Sequence, residues 1–172
     1  MKNVEKVGIE IERKFVIKMP DVLTLRSQKD YTVSEILQIY LKSEQGETRR
    51  VRRRVYSDRT LYIETKKIRI DNMSSEEIER GMSKNEFDAL ASSPLEGTNP
   101  IRKLRHTFVY EGQLFEIDIY PEWGQTAVME TELPTRDTDV SMPPFIEIIK
   151  EVTGDKSYSN ASMSKSFPEE LI

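Results

Sequence analysis

The stretch Ile9-Glu10-Ile11-Glu12-Arg13-Lys14-Phe15 guides the interpretation of the whole chain. Successive side chains of a β-strand point to opposite faces of the sheet. A strand here therefore places the charged side chains of Glu10, Glu12 and Lys14 on one face and the apolar side chains on the other. A single stripe of this kind is most often a solvated strand face. It indicates a functional surface only if other strands repeat it.

The composition predicts one domain, spanning residues 1–172, that is long enough to bury a core. Charged residues make up 33% of the chain, but the 26 basic and 30 acidic residues nearly cancel, to a net charge of -4. Proteins that bind nucleic acid through charge usually carry a basic excess. We therefore expect no nucleic-acid partner, although both signs of charge can still be concentrated in one site.

Several classes of chemistry are excluded by residue types that are rare or missing. The chain has no cysteine, which excludes disulfides, thiolate metal sites and a cysteine nucleophile. His106 is the only histidine, so a histidine-based metal site or catalytic triad is not expected. Residues 1–6 lack the apolar run of a signal peptide, and no segment approaches membrane-spanning length. We expect a cytoplasmic protein with no membrane partner.

Alternation of apolar and polar residues predicts a series of strands along the chain. Apolar spacing predicts short helices at residues 20–28 and 145–152, the second ended by Gly154, and a capping box of Ser83 and Glu86 opens another helix. A last helical turn is expected within residues 159–166. The class is α+β, built mainly from antiparallel hairpins, with a large sheet that is either open or closed. After residues 9–15, the predicted strands are 34–42, 48–56, 60–68, 76–80, 101–110, 113–120 and 127–133.

Later strands repeat the doublet of charges, two residues apart, that begins at Glu10. A solvated face would mix serine, threonine and glutamine among its charges, whereas here carboxylates and cations largely segregate strand by strand. We therefore interpret the set as a functional surface. Its members are Arg50, Arg52 and Arg54; Glu64 and Lys66; Glu77 and Glu79; Lys103 and Arg105; Glu116 and Asp118; and Glu130 and Glu132.

The chemistry of such a surface follows from the types of charge on it. Closing the sheet into a barrel would remove its exposed edges and leave an interior lined with both signs of charge. Divalent cations would compensate the carboxylates, and a polyanion would compensate the arginines and lysines. Hard cations such as Mg²⁺ or Mn²⁺ prefer oxygen ligands, and the arginine fork suits phosphate oxygens. The pattern indicates a metal-bound polyphosphate and phosphoryl transfer.

These residues resemble a known family. Glu10-Ile11-Glu12-Arg13-Lys14 is similar to the ExExK signature of the CYTH superfamily, the triphosphate tunnel metalloenzymes, and in particular to its short, bacterial-type inorganic triphosphatases. The resemblance extends across nearly the whole chain in an ordered series. It includes QxYL at residues 38–41, RxR at 50–52, the adjacent pair Thr65-Lys66 matched to TxK, ExE at 77–79, KxR at 103–105, ExD at 116–118, ExE at 130–132, and a C-terminal element at 155–160 that closes one tunnel mouth.

The resemblance implies an eight-stranded antiparallel closed β-barrel, a tunnel with a charged interior and with helices packed on its outside. It also implies Mg²⁺ or Mn²⁺ and a triphosphate inside the tunnel. By this resemblance the metal ligands are Glu10, Glu12, Glu116, Asp118, Glu130 and Glu132. The substrate-binding residues are Lys14, Arg50, Arg52, Arg54, Lys66, Lys103 and Arg105, and the catalytic residues are Lys14, Glu77, Glu79 and Lys156.

The preferred function is metal-dependent hydrolysis of a triphosphate, with inorganic triphosphate converted to pyrophosphate and phosphate. A class IV-type adenylate cyclase, which converts ATP to cyclic AMP and pyrophosphate, is an alternative. Thiamine triphosphatase is another. A polyphosphate- or nucleotide-binding module without turnover is the alternative from outside the enzymes.

Overall fold

The computed structural model describes residues 5–171. These residues form nine strands and three short α-helices, with a single 3₁₀ turn at Lys156–Tyr158. The strands are β1 (Glu5–Lys18), β2 (Lys29–Leu41), β3 (Glu47–Val55), β4 (Thr60–Arg69), β5 (Ser74–Gly81), β6 (Ile101–Tyr110), β7 (Gln113–Ile119), β8 (Thr126–Glu132) and β9 (Ile148–Glu151). The helices are α1 (Val22–Arg26), α2 (Lys84–Ala91) and α3 (Asn160–Met163).

Eight of the strands close into an antiparallel barrel. Their order is β5-β4-β3-β2-β6-β7-β8-β1, and pairing of β5 with β1 completes the circle. Strand β1 is long enough to pair with three neighbouring strands. Residues 12–18 pair with β8, residues 5–11 pair with β5 on the opposite edge, and β9 continues that second edge at residues 15–17. The α+β class and the closed eight-stranded barrel expected from the sequence are therefore confirmed.

The β6–β7 hairpin shows how a local signal sets the register. Glu111 and Gly112 form its turn, and both have positive φ, at 46° and 75°. Turns with positive φ at both central positions match the right-handed twist of the strands they join. The hairpin predicted around these two residues is present, and Tyr110 pairs directly with Gln113.

Apolar residues pack in three clusters, two of them on the outside of the barrel. Helix α2 places Phe87 over residues of β2 and β3, and it begins where Ser83 Oγ accepts a hydrogen bond from the Glu86 backbone N–H. Helix α1 and residues 140–146 cover Phe108 and Phe115 of β6 and β7. These segments bury the apolar face that the alternation predicts.

The third cluster fills one end of the barrel itself. Val16 and Val128 share the inward parity of the charged residues on β1 and β8, and they pack with Tyr120, Trp123 and Tyr158. Helix α3 adds Met163 to the same cluster. The charged interior is therefore bounded at this end by an apolar plug.

The helix predicted for residues 145–152 is wrong, because part of the segment, Ile148–Glu151, forms strand β9. Beyond residue 11, β1 has a free edge that β5 no longer reaches, and Ile148–Glu151 pairs with it. Pairing with a distant strand thus overrides the local helical spacing. Gly154 nevertheless has the positive φ, +79°, expected of a residue that ends an element.

Within residues 5–171, none of the helices has both the length and the apolar character needed to cross a membrane.

Candidate functional site

A charged cavity of about 510 Å³ lies inside the barrel. All eight barrel strands contribute side chains to its wall, so the site depends on closure of the sheet. Its charged strand residues include Glu10, Glu12 and Lys14 from β1, Arg50, Arg52 and Arg54 from β3, Lys67 and Arg69 from β4, Glu77 and Glu79 from β5, Arg105 from β6, Glu116 from β7, and Glu130 and Glu132 from β8. Lys156, from the C-terminal segment, lines the same cavity.

The structure corrects the face that the sequence-based interpretation gave to β4. Arg50 pairs with Thr65, and Thr48 pairs with Lys67, so Lys67 shares the inward face of the arginines. Lys66 is opposite Arg49 and is not part of the cavity wall. A shift of one residue turns every side chain of a strand to the other face. Lys67, which sequence reasoning missed, therefore replaces Lys66 in the cavity.

Glu64, expected on the same inward face, belongs to an ion-pair network on the outside of the barrel. Its carboxylate accepts hydrogen bonds from Arg49 at 2.6 Å and from Arg80 at 3.2 Å. The turn between β3 and β4 contains the signal that would have revealed this. Val55 pairs with Thr60 across four loop residues, and counting back from that pair places Thr65 and Lys67 with the even-numbered arginines.

The cation-rich wall is centred on Arg50 and Arg52. Neither Nε atom has a hydrogen-bond partner among residues 5–171, although both atoms are buried. Burial, together with repulsion from Arg50 and Arg105, lowers the pKa of Arg52 to about 9. The contact of Arg52 with Glu79, at 3.3 Å, only partly compensates this charge. Two guanidinium groups with buried Nε–H donors, unpartnered in the described part of the chain, are suited to an anion.

The carboxylate-rich wall is centred on Glu10 and Glu12. Burial, with repulsion from Glu77 and Glu132, raises the pKa of Glu10 to about 9. Burial, with repulsion from Glu130, raises the pKa of Glu12 to about 7. These groups have more negative charge around them than the nearby cations neutralise, so they favour a bound proton or a bound cation.

Lys103, Arg105 and Asp118 form a third group of charges, which pair with one another; Arg105 lines the cavity, and the other two lie behind its wall. Asp118 is 1% exposed and accepts hydrogen bonds from Lys103 at 2.8 Å and from Arg105 at 2.8 and 2.9 Å. Burial alone would raise the pKa of Asp118, but Arg105 and Lys103 outweigh it and hold the pKa far below its usual range. Asp118 and Lys103 do not line the cavity. The geometry therefore makes Asp118 a partner that orients two cations.

Two other carboxylates expected to bind metal are also ion-paired, although they do line the cavity. Glu116 lies 2.7 Å from Arg105, and Glu130 lies 3.1 Å from Lys14. Burial would raise the pKa of Glu130, but Lys14 and Arg105 lower it to about 2. Glu116 and Glu130 thus have protein cations within reach, whereas Glu10 has carboxylate neighbours.

Further polar contacts join residues of the cavity wall to their surroundings. Arg54 donates from Nε to Ser34 Oγ at 2.8 Å. Lys67 lies 3.3 Å from Glu77. The C-terminal segment contacts the interior directly, because the Tyr158 carbonyl accepts a hydrogen bond from Lys14 at 3.3 Å.

The fit of a divalent cation rests on the chemistry of the donors. Among residues 5–171, no three acidic or histidine side chains already stand together in a metal-binding arrangement. The donors themselves suit a hard cation, since Glu10, Glu12 and Glu132 supply only oxygen atoms and face one cavity. Burial of Glu10 and its repulsion by Glu77 and Glu132, which together raise the pKa of Glu10, are what a bound cation would offset. We therefore regard these three residues as fitting such an ion.

A closed antiparallel barrel with a cation-rich and a carboxylate-rich wall defines a class of charged-tunnel domains. The family model for the CYTH domain matches residues 8–153. The chain therefore belongs to the CYTH domain family, which confirms the resemblance noted in its sequence motifs.

Solved structures agree with this assignment. The crystal structure of the inorganic triphosphatase NE1496 is similar with a TM-score of 0.58 and 27% identity, over 92% of this chain and 96% of that chain. A second crystal structure, of the hypothetical protein NE1496, has a TM-score of 0.57 and 26% identity, over 92% and 99% of the two chains. The protein PH1819 from Pyrococcus horikoshii OT3 shares the fold, with a TM-score of 0.55 and 20% identity over 74% and 80%. No curated protein matches the chain.

Proposed function

We propose that the protein hydrolyses a triphosphate inside its barrel with the help of Mg²⁺ or Mn²⁺, and that inorganic triphosphate is its preferred substrate. The observation that carries the proposal is the pair of guanidinium groups of Arg50 and Arg52, whose Nε atoms are buried and have no partner within residues 5–171. They face a cavity whose other wall carries Glu10 and Glu12. Similarity to a chain described as an inorganic triphosphatase supports the choice of substrate.

Each wall has its own task in this proposal. Arg50, Arg52 and Lys67 bind phosphate oxygens and hold the chain of phosphates along one side of the cavity. Lys14 lies between the walls, paired with Glu130, and its ammonium group stabilises charge that develops on the departing phosphate. Arg54 and Lys156 extend the cationic lining beyond this centre.

The carboxylates hold the cation and orient water. Glu10, Glu12 and Glu132 would hold the divalent ion, which supplies charge neutralisation and lowers the pKa of bound water. Burial would raise the pKa of Glu77, but Arg50 and Lys67 outweigh it and keep the group ionised. Glu77 and Glu79 are therefore available as carboxylates that orient a water molecule and the cations beside them.

The experiment that tests the proposal measures products from three substrates. The protein is incubated with Mg²⁺ or Mn²⁺ and with inorganic triphosphate, ATP or thiamine triphosphate, and phosphate, pyrophosphate and cyclic AMP are quantified. We expect equal amounts of phosphate and pyrophosphate from inorganic triphosphate, and loss of turnover after removal of the metal with EDTA. Cyclic AMP from ATP, without phosphate release from inorganic triphosphate, would establish the cyclase alternative instead.

Two adjacent lysines provide a matched pair of variants. Lys67→Ala removes a cation from the cavity, whereas Lys66→Ala removes one from the outer face. We expect Lys67→Ala to lower kcat/KM about thirtyfold, equivalent to about 2 kcal/mol, because a charged contact to phosphate is lost. Lys66→Ala should stay within about threefold of the parent. Equal effects from the two variants would contradict the assignment of the cavity as the site.

A further inference from the structure

The first half of β1 has one edge that nothing in residues 5–171 covers. Even-numbered residues of β1 direct their backbone groups toward β5 and β9, as Glu12 N–H does toward the Met73 carbonyl. Odd-numbered residues direct theirs toward β8, but this pairing ends where Leu133 N–H donates to the Ile11 carbonyl. The N–H and C=O groups of Val7 and Ile9 therefore have no backbone partner in the described part of the chain. An uncovered strand edge is a template for pairing with another strand.

The side chains of this edge are apolar and exposed. Val7 is 61% exposed and Ile9 is 66% exposed, on the outer face of the barrel. Val7 lies opposite Ile78 of β5, whereas Ile9 lies opposite Glu76, and the exposed Ile68 of β4 lies on the far side of Glu76. Much of the remaining outer face is covered by α2 or by α1 with residues 140–146. The β1 edge thus combines free backbone groups with two exposed apolar side chains.

We propose that this edge is a dimer interface, in which β1 pairs antiparallel with β1 of a second copy about a two-fold axis at Gly8. The odd-numbered residues direct their backbone groups outward, so they must pair with odd-numbered residues of the partner. The register centred on Gly8 places Val7 opposite the partner's Ile9. It joins the two barrels through one continuous antiparallel ladder.

Charge complementarity selects this register and this occupant. With Gly8 at the centre, Lys6 lies opposite the partner's Glu10 on the face of β1 that lines the cavity, so each copy places a cation beside the carboxylate-rich wall of the other. Opposite charges directly across an antiparallel pair are stabilising. Centring on Val7 instead would place Glu5 opposite the partner's apolar Ile9. Centring on Ile9 would require Ile11 and Glu12 to pair with the partner, but β8 already pairs with that part of the edge. The Gly8 register pairs Val7 with Ile9 and Lys6 with Glu10 within the uncovered residues.

The centre of the interface suits close approach. Facing residues of a non-hydrogen-bonded antiparallel pair have Cα atoms about 4.5 Å apart, and Gly8 carries no side chain to resist this. A Cβ added at Gly8 meets nothing within 4 Å in the single copy. A disulfide spans Cα distances of roughly 4.4 to 6.8 Å. A cysteine at this position in each copy is therefore placed to form a bond across the axis.

The absence of native cysteine makes this a direct test. Gly8→Cys is mixed with oxidised glutathione at low micromolar concentration and examined on a non-reducing gel. We expect a disulfide-linked dimer that dithiothreitol reverses. Leu23→Cys, on an α1 residue that is 73% exposed, is the matched control and should remain monomeric on the gel. Equal cross-linking of the two variants, or none by Gly8→Cys, would overturn the register.

A second measurement keeps the interface testable without a new cysteine. Sedimentation velocity across a concentration series should show a dimer for the parent protein and a monomer for Ile9→Lys, because the charge disfavours pairing at the edge. Leu23→Lys should remain a dimer, and circular dichroism should show the barrel intact in all three. A monomeric parent, or a dimer that persists in Ile9→Lys, would overturn the proposal.

Discussion

Asp118→Asn should destabilise the fold by about 3–5 kcal/mol, the cost of breaking a buried ion pair. Asp118 holds Lys103 and Arg105 at 2.8 to 2.9 Å, and all three side chains are buried. The cost is not doubled, because Arg105 keeps Glu116 at 2.7 Å. Lys103 keeps only the Asn160 side-chain oxygen at 3.4 Å. The magnitude therefore comes mainly from one buried ammonium left without its carboxylate.

The assay is urea unfolding followed by the fluorescence of Trp123, which is the only tryptophan and is packed inside the apolar plug. The double variant Lys103→Met with Asp118→Asn removes the uncompensated cation, so it should be more stable than Asp118→Asn alone. Because the pKa of Asp118 is lowered in the folded state, its contribution is complete above the unfolded value of about 4. The difference between the parent and Asp118→Asn should shrink as the pH falls below that value.

The control is Glu64, a carboxylate with two arginine partners on the outside of the barrel. Glu64 is itself only 5% exposed, but its partners Arg49 and Arg80 have side chains that are 27% and 25% exposed and so remain hydrated when the carboxylate is lost. Glu64→Gln should cost about 1 kcal/mol or less. A loss below about 1 kcal/mol in Asp118→Asn as well would refute the view that the buried network orients the interior cations.

Two further substitutions, at Glu10 and Gly154, test the carboxylate-rich wall and the turn that follows β9. Since the pKa of Glu10 is raised to about 9, the stability that Glu10 contributes is complete below its unfolded pKa and is lost as pH rises toward 9. Without metal, thermal unfolding of Glu10→Gln should therefore show a higher midpoint than the parent at pH 8 and a similar one near pH 4.5; a lower midpoint at pH 8 would contradict this. Gly154→Ala should destabilise by more than 1 kcal/mol, because φ is +79° and a Cβ would lie 2.9 Å from the Asn72 Cβ. Gly97→Ala is the control, because Gly97 has a φ of +80° but open space around it, so its substitution measures the cost of the backbone conformation alone. Equal losses of unfolding free energy in the two variants, measured by chemical denaturation, would show that the close contact with Asn72 contributes nothing.

The sequence predicts the barrel well because its strands alternate clearly and its hairpins are local. The 101–110 strand has the predicted bounds, and the turn at Glu111 and Gly112 forms as expected. The inward face of β3 was also predicted from parity alone, since Arg50 and Arg52 line the cavity. Local periodicity and turn chemistry were sufficient for these elements.

The errors arise where the identity of the neighbouring strand decides the outcome. Lys66 and Lys67 are adjacent, and only the pairing of β4 with β3 shows which of them faces inward. Residues 145–152 have helical spacing, but a free edge of β1, formed by residues distant in sequence, makes part of them a strand. Asp118 is two residues from Glu116 and has the same parity, yet the register of β6 with β7 places it opposite Arg105.

The carboxylates of the interior divide into two groups by what lies across from them. Glu130, with Lys14 and Arg105 nearby, has a pKa lowered to about 2, whereas Glu10, with Glu77 and Glu132 nearby, has a pKa raised to about 9. Both are glutamates at the same parity of neighbouring strands, so residue type cannot separate them. Closure of the sheet does, because it brings β5 and β8 to opposite edges of β1. The paired group stabilises the barrel, and the crowded group retains an electrostatic cost that a bound cation would relieve.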